Sequence, residues 1–173
     1  IGRNKAESLR ERLAQITIFS SVTALPERVA GEQLHALIAS ADVVLDCSDN
    51  FATRHAVNRA CVELRKPLVS GAAVRFDGQI SVFDLRHADA PCYHCLFPDQ
   101  GDANDGPCAL FGVFAPLVGI IGSMQAAEAL KLLIPTGTSL NGRLLLLNAL
   151  QMEWRTLRLK RDPACAVCSG QAR

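Results

Sequence analysis

Two cysteine pairs with the same spacing are the residues best suited to chemistry in this sequence. Cys92 and Cys95 form the first C-x-x-C pair, and Cys165 and Cys168 form the second. Two intervening residues let both thiolates of a tight turn face one ion, so the pairs match the ligands of a tetrahedral Cys₄ zinc site. Four thiolates leave no open position, which favours a structural role. A disulfide and a redox-active C-x-x-C pair are the alternatives.

A short polar run, Asp46-Cys-Ser-Asp-Asn50, follows an apolar segment and precedes a helical pattern. In open α/β sheets, ligands bind beyond the carboxyl ends of strands, and a helix N-terminus favours negative charge. Asp46 and Asp49 could therefore hold Mg²⁺ against the phosphates of a nucleotide. The alternative is that Asp49 or Asn50 only caps the helix.

Three further side chains are candidates for a site. Arg54, one turn into the same helix, could reach a phosphate or a carboxylate, unless it lies on a solvated face or pairs with Asp49. Cys108 precedes an apolar helix whose start could activate its thiol, and a buried or incidental thiol is the alternative. Lys5, on helix propensity alone, is an ordinary surface lysine.

The histidines are not expected to carry chemistry. His94 lies between cysteines that complete a zinc ligand set without it. The other three show no ligand spacing and are expected at the surface: His35, His55 and His87.

Composition narrows the function classes. The chain has 173 residues, 49% of them hydrophobic, and a net charge of +1, which gives no reason to expect a nucleic acid partner. Seven cysteines without a secretory signal fit a reducing, cytoplasmic environment. The longest uncharged run, Ala109 to Ala127, contains several glycines and continues into an amphipathic segment. This pattern indicates a buried core helix and not a membrane span.

The first part of the chain alternates between helical and strand patterns. Helices are predicted over Lys5–Gln15 with Asn4 as N-cap, Gly31–Ser40 and Asn50–Arg65, and strands over Ile16–Thr23, Ala41–Asp46 and Lys66–Gly71. This order predicts βαβ units in a parallel sheet, with Ala41–Asp46 buried on both faces.

After Gly71 the pattern becomes antiparallel. Asp77-Gly78 favours a type I′ hairpin turn between two flanking strands. The remaining predicted elements are a mobile polar loop over Asp99–Pro107, a helix over Phe114–Ile134 stopped by Pro135, and closing strands over Gly142–Asn148 and Met152–Leu159. We therefore predict an α/β, Rossmann-like, mostly parallel sheet with an antiparallel extension, in a single domain over residues 1–173.

Several segments, taken in order, match the motif series of a known family. They are Ile1–Ser8, Val43–Arg54, Pro67–Val74, Gly78-Gln79, Cys92–Cys95, Gly112–Lys131 and Cys165–Cys168. In this order they resemble the bacterial MoeB/ThiF adenylyltransferases, which are relatives of the ubiquitin-activating enzymes. The resemblance covers essentially the whole chain.

The resemblance implies a Rossmann-like fold and a homodimer with a structural zinc in each subunit, held by the four paired cysteines. The implied reaction is attack by the C-terminal glycine carboxylate of a small ubiquitin-like sulfur-carrier protein on the α-phosphate of ATP-Mg²⁺. Carried across by motif, Lys5 contacts the nucleotide phosphates and Asp49 serves the Mg²⁺ and phosphate region. Cys108 falls where some members accept the activated carrier or join it through an acyl-disulfide.

One departure from the family concerns the nucleotide site. The family's Gly-x-Gly-x-x-Gly turn and ribose-binding acid would precede Ile1, so we expect the chain to be the C-terminal part of a larger domain and not to adenylate alone. For the carrier, Ser70–Arg75 favours the molybdopterin pathway and Cys95–Asp99 favours the thiazole pathway. The alternative function is a non-catalytic, zinc-stabilised module that docks a partner protein.

Overall fold

The computed structural model describes residues 2–99 and 112–171, divided between two compact units, residues 1–35 and 36–173. The prediction of a single domain over the whole chain stays a prediction. Cys108 and the predicted mobile loop Asp99–Pro107, apart from Asp99 itself, lie outside the described residues.

The first unit contains helix α1, Lys5–Ile16, and an extended segment. Asn4 caps α1 as predicted, because its side chain accepts hydrogen bonds from two backbone N–H groups of the first turn. The predicted strand Ile16–Thr23 is wrong. Ile18 and Phe19 are 87% and 94% exposed. The described part of this unit has no neighbouring strand with which the alternating segment could pair.

The second unit is built on a mixed five-stranded sheet in the order β1-β2-β3-β4-β5. The strands are β1 (Val44–Asp46), β2 (Leu68–Val74), β3 (Asp77–Phe83), β4 (Arg143–Asn148) and β5 (Glu153–Arg158). The pair β1 and β2 is parallel, and the other three pairs are antiparallel. The predicted α/β class and antiparallel extension are confirmed, while the parallel part of the described sheet comprises this one pair.

Two predicted helices flank β1. Helix α2, Gly31–Ser40, has the predicted bounds and buries Ile38. Helix α3, Phe51–Glu63, connects β1 to β2 and is capped by Asn50, whose side chain accepts from the N–H of Thr53 at 2.8 Å. Strand β1 was expected to be buried on both faces, yet Leu45 is 41% exposed because β1 is an edge strand of the described sheet.

The hairpin between β2 and β3 forms as predicted, but its turn lies earlier. Val74 pairs with Asp77, so Arg75 and Phe76 make the turn, and Arg75 takes a left-handed φ of 51°. Asp77-Gly78 is instead part of β3. A Cβ atom on Gly78 would lie 2.8 Å from methyl carbons of Leu117 and Ile121, so the position needs glycine for the close approach of a helix.

That helix is α5, Ala115–Leu133, which packs on one face of the sheet. Leu117 and Ile121 are buried against Leu147, and Met124 and Leu132 pack against a second cluster that includes Ile80 and Val82. Within the described residues α5 is the one helix long and apolar enough to cross a membrane by length and composition. Its buried contacts with the sheet support the predicted core helix.

Two glycines of this layer give a stability prediction with opposite signs. Gly78→Ala should lower the free energy of unfolding by about 1–3 kcal/mol, because its methyl group overpacks the contact with α5. Gly119→Ala should raise it by up to about 1 kcal/mol, since nothing lies within 4 Å of its new Cβ and alanine is the better helix former. Denaturant titration of both variants checks this; equal stability of the two variants would contradict the packing described.

Candidate ligand pocket and metal centre

The four paired cysteines meet in one cluster. Their Sγ atoms all lie within 4.8 Å of one another. The distances are 3.9 Å between Cys92 and Cys95, 3.7 Å between Cys92 and Cys165, and 3.5 Å between Cys95 and Cys168. A tetrahedral ion with metal–sulfur bonds of about 2.3 Å needs sulfur atoms roughly 3.8 Å apart, so the cluster fits a Cys₄ metal site.

Local structure orients both cysteine pairs toward this point. Cys92 precedes the single-turn helix α4, Tyr93–Leu96, and its carbonyl accepts from the N–H of Cys95 at 3.1 Å. The Arg161 guanidinium donates to the carbonyls of Ala88 and Cys168, which ties the second pair to the segment before the first. Around the thiols the cluster is apolar: Val62, Leu85, Ala90 and Val167.

Hydrogen bonds among the four thiols stabilise one of them as a thiolate. Hydrogen bonding from Cys92 lowers the pKa of Cys95 to about 4, despite partial burial. Burial together with the hydrogen bond to Cys95 raises the pKa of Cys168 to about 11. The pKa of Cys92 is raised chiefly because its proton serves Cys95. A bound metal would replace these shared protons, since it takes thiolates as ligands.

A second feature is a pocket of about 200 Å³ beyond the carboxyl end of β1 and beside the second half of β2. Residues from the β1–α3 loop form one wall, and the first turns of α3 contribute Arg54. The opposite wall comes from β2 and α5 and is small or apolar: Gly71, Ala72, Ala73, Val118, Ile121 and Gly122. The pocket is therefore at the position where α/β sheets bind ligands.

Two residues of the pocket lining, Ser48 and Arg54, have buried polar atoms without partners, and so does Asp46, which directly precedes the lining residue Cys47. Among the described residues, Asp46 Oδ2, Ser48 Oγ and Arg54 Nε are buried and accept or donate no hydrogen bond. Arg54 is only 8% exposed, and its Nη2 donates to the carbonyl of Ser48 at 2.6 Å. Leaving such groups unpaired costs about 1–3 kcal/mol each, so the arrangement is suited to a bound polar ligand.

Gln125 of α5 braces the floor of the pocket. Its Nε2 donates to the carbonyl of Asp46 at 3.0 Å and to that of Val69 at 3.3 Å, which joins the last residue of β1 to the beginning of β2. Its Oε1 accepts from Cys47 Sγ at 3.5 Å. A Cβ on Gly71 would overlap the Gln125 amide, so glycine at that position makes the brace possible.

The pocket and the cysteine cluster contain most of the residues predicted from the sequence. Asp49 lines the pocket with its carboxylate near α3, and Asn50 is the helix cap that the alternative interpretation proposed. Lys5 lies in the first turn of α1, in the other unit. Cys47 also lines the pocket, but partial burial, with a contribution from Asp46, raises the pKa of its thiol and makes it a poor nucleophile.

The surface prediction for His55 is wrong. His55 is 4% exposed, and its ring lies 5.5 Å from the ring of Tyr93 and 5.7 Å from that of His94. It is buried because α4 packs against this face of α3. His94 is not among the four grouped ligands, as predicted.

Sequence reasoning did not assign roles to Gln125 and Asn58. Gln125 is a polar side chain inside an otherwise uncharged helical run, and it is 3% exposed. Asn58 lies one helical turn after Arg54 and is 1% exposed. A polar residue inside an apolar run is the signal that could have identified Gln125, because such a group requires partners when it is buried. Helix α3 carries several other polar residues, so no such signal marks Asn58.

The fold and its two sites define a class of protein. It is an α/β protein with a ligand pocket where a strand of its sheet ends. Its four-cysteine centre joins two segments that are distant in the chain. Residues 1–167 match the model of the ThiF family, and the chain belongs to that family. The family resemblance predicted from the sequence is thereby confirmed.

Curated relatives agree with this assignment. The chain is 42% identical to the molybdopterin-synthase adenylyltransferase of Escherichia coli (strain K12) over 168 residues, which are 97% of this chain and 67% of that protein. It is also 42% identical to the sulfur carrier protein ThiS adenylyltransferase of the same organism, over 98% of this chain and 66% of that one. The chain thus spans about two thirds of the length of these relatives.

Solved structures give the same fold. The crystal structure of E. coli MccB with ATP superposes with a TM-score of 0.79 at 20% identity, and the match covers 97% of this chain and 51% of MccB. A complex of MccB with N-formylated MccA gives a TM-score of 0.80 at 21% identity. At this identity the likeness establishes the fold alone.

The brace at Gln125 gives a second prediction. Gln125→Met keeps the length of the side chain but removes the donors to Asp46 and Val69, so the free energy of unfolding should fall by about 1–3 kcal/mol. The exposed Gln33, which donates to Glu27, provides the control, and Gln33→Met should change stability by less than about 0.5 kcal/mol. Equal effects of both substitutions in denaturant titration would show that the brace contributes nothing.

Proposed function

We propose that this chain is part of an ATP-dependent adenylyltransferase that activates the C-terminal glycine carboxylate of a small ubiquitin-like sulfur-carrier protein. The observation that carries the proposal is the pocket with the unpartnered Ser48 and Arg54 atoms among its lining residues, in a member of the ThiF family. Two similar proteins are named as adenylyltransferases, for molybdopterin synthase and for the carrier ThiS. A non-catalytic docking module would give no reason for these unpartnered polar atoms.

The reaction needs charge stabilisation more than a side-chain nucleophile. The carrier's carboxylate oxygen forms a bond to the α-phosphorus of ATP, the bond from that phosphorus to the bridging oxygen breaks, and pyrophosphate leaves with its electrons. The products are the acyl-adenylate and pyrophosphate. Because negative charge accumulates on the phosphate oxygens in the transition state, cationic groups and helix N-terminal amides are suited to stabilise it.

In our proposal, three of the described residues contribute to stabilising this phosphate charge. We assign Mg²⁺ to Asp49, a carboxylate that lines the pocket, since oxygen ligands suit that ion, while the N-terminus of α3 that follows Asp49 favours the phosphate. Bound there, Mg²⁺ would neutralise phosphate charge. Arg54 lines the same pocket, and its guanidinium is suited to an oxyanion. Lys5 is proposed to contact the nucleotide phosphates by its family motif alone.

The metal of the four-cysteine centre is proposed to be zinc with a structural role. Its support is the sulfur spacing and the all-thiolate ligand set, which leaves no position for substrate. Thiolate ligands require reduced cysteines, which persist in a reducing compartment, and this supports our proposal of a cytoplasmic protein. Cys108 is proposed only as a candidate acceptor of the activated carrier.

A homodimer is proposed from the outer face of α5. Leu130 and Leu133 are 56% and 49% exposed, and Ile134, directly after the helix, is 64% exposed. Exposed apolar side chains that cluster in this way are typical of subunit interfaces. The dimer thereby covers the side of α5 that the sheet leaves open.

The function proposal is tested in a hybrid enzyme. The matched 168 residues of the E. coli molybdopterin-synthase adenylyltransferase are replaced by those of this chain, and carrier-dependent exchange of pyrophosphate into ATP is measured. The hybrid should catalyse exchange, and Asp49→Asn should reduce its rate by about 100-fold or more, because phosphate charge loses its metal. Asp42→Asn, an exposed acid before β1, is the control and should leave the rate unchanged.

Exchange by the hybrid that Asp49→Asn leaves intact would contradict the role of Asp49. A folded hybrid without any exchange, for either the molybdopterin or the thiazole carrier, would contradict the proposed activity. Preference for one of the two carriers identifies the pathway.

The dimer proposal makes a separate prediction. Leu133→Glu introduces a charge into the exposed apolar face of α5 and should convert the dimer to a monomer in light scattering after size exclusion. Leu150→Glu, a substitution at a 68% exposed position beyond β4, should leave the dimer intact. A monomeric parent protein at all concentrations would overturn the proposal.

A further inference from the structure

Asn58 is a buried amide whose two ends both serve the first cysteine pair. It lies in the middle of α3 and is 1% exposed. Its Nδ2 donates to Cys92 Sγ at 3.7 Å, and its Oδ1 accepts from the N–H of Tyr93 at 2.9 Å. The amide thus holds both the ligand atom of Cys92 and the peptide that follows it.

Such a contact changes the chemistry of a thiolate ligand. Four thiolates around one divalent ion leave a net negative centre, and a hydrogen bond to sulfur withdraws part of that charge. Cys92 is completely buried, so no solvent can donate to it in place of Asn58. Hydrogen-bond partners of this kind contact a ligand of the metal and not the metal itself. They orient that ligand and strengthen metal binding.

We propose that Asn58 is a positioning residue of the four-cysteine centre. Its N–H group hydrogen-bonds the Cys92 thiolate in the metal-loaded protein and slows the loss of the metal. This inference depends on the zinc site proposed above, but not on the adenylyltransferase activity.

The position of Asn58 also connects the metal centre with the ligand pocket. Arg54, Asn58 and Val62 are spaced by four residues, so they share one face of α3, and all three are buried. Arg54 lines the pocket, Asn58 contacts Cys92, and Val62 packs in the cysteine cluster. A metal bound by the four cysteines would therefore also help to fix α3, the helix that carries Arg54.

Asn58→Asp tests the contact with little change of shape. The aspartate keeps an oxygen that accepts from Tyr93 N–H, but it places a second oxygen, and negative charge, where the donor faced the thiolate. Zinc affinity should fall by roughly 10- to 100-fold, with faster transfer to a competing chelator. The cobalt-substituted protein should show a shifted thiolate-to-metal absorption band.

The matched control is Asn148→Asp. Asn148 Oδ1 accepts from the N–H groups of Leu150 and Gln151, and aspartate preserves both bonds at the end of β4. Its zinc affinity and cobalt spectrum should equal those of the parent. Unchanged affinity and spectrum in folded Asn58→Asp would overturn the inference, whereas a parent protein that binds no zinc would overturn the zinc site itself.

A measurement on the unaltered chain decides the matter if Asn58→Asp does not fold. The protein is loaded with an NMR-active cadmium isotope, and the side-chain amide protons of Asn58 are followed. A scalar coupling between one of these protons and cadmium, transmitted through the sulfur, is the expected result. Side-chain protons that do not respond to the metal and exchange freely with water would refute the hydrogen bond.

Discussion

The contact of four cysteine thiols is the constraint on which the C-terminal half of the structure depends. It joins the segment after β3, which carries Cys92 and Cys95, to the segment after β5, which carries Cys165 and Cys168. Strand β5 has no residue that is buried or even half-buried, so side-chain burial alone gives it little stability. A bound metal would fix the chain beyond β5 and thereby keep this edge strand in place.

Helix α3 links that centre to the pocket. Its first turns present Asn50 as the cap and Arg54 as a wall residue, while its later turns pack on the cysteine cluster through Asn58 and Val62. On the other side, Gln125 of α5 joins the last residue of β1 to the beginning of β2 at the same pocket. The pocket is therefore held between a helix anchored at the metal centre and a helix packed on the sheet, which suits a site whose groups must be fixed before the ligand binds.

Short-range signals in the sequence predicted much of this arrangement. The C-x-x-C spacing, the Asn4 and Asn50 caps and the long apolar helix each depend on residues close together in the chain, and each is present in the structure. The failures depend on contacts between distant residues. Ile16–Thr23 has the composition of a strand but no strand to pair with. The predicted turn at Asp77-Gly78 lies two residues earlier, because Gly78 belongs to β3 where α5 packs closely on the sheet. His55 and Asn58 are buried by the distant α4 segment, which no local pattern reveals.

Zinc content and thiol reactivity, measured together before and after a strong chelator, test the central claim most directly. The account predicts one zinc ion per chain, with the four clustered cysteines protected from thiol reagents until the metal is removed. Chelation should then expose them and loosen the region around β5. No zinc, and clustered thiols that react at the same rate before and after the chelator, would contradict the metal centre and its proposed structural role.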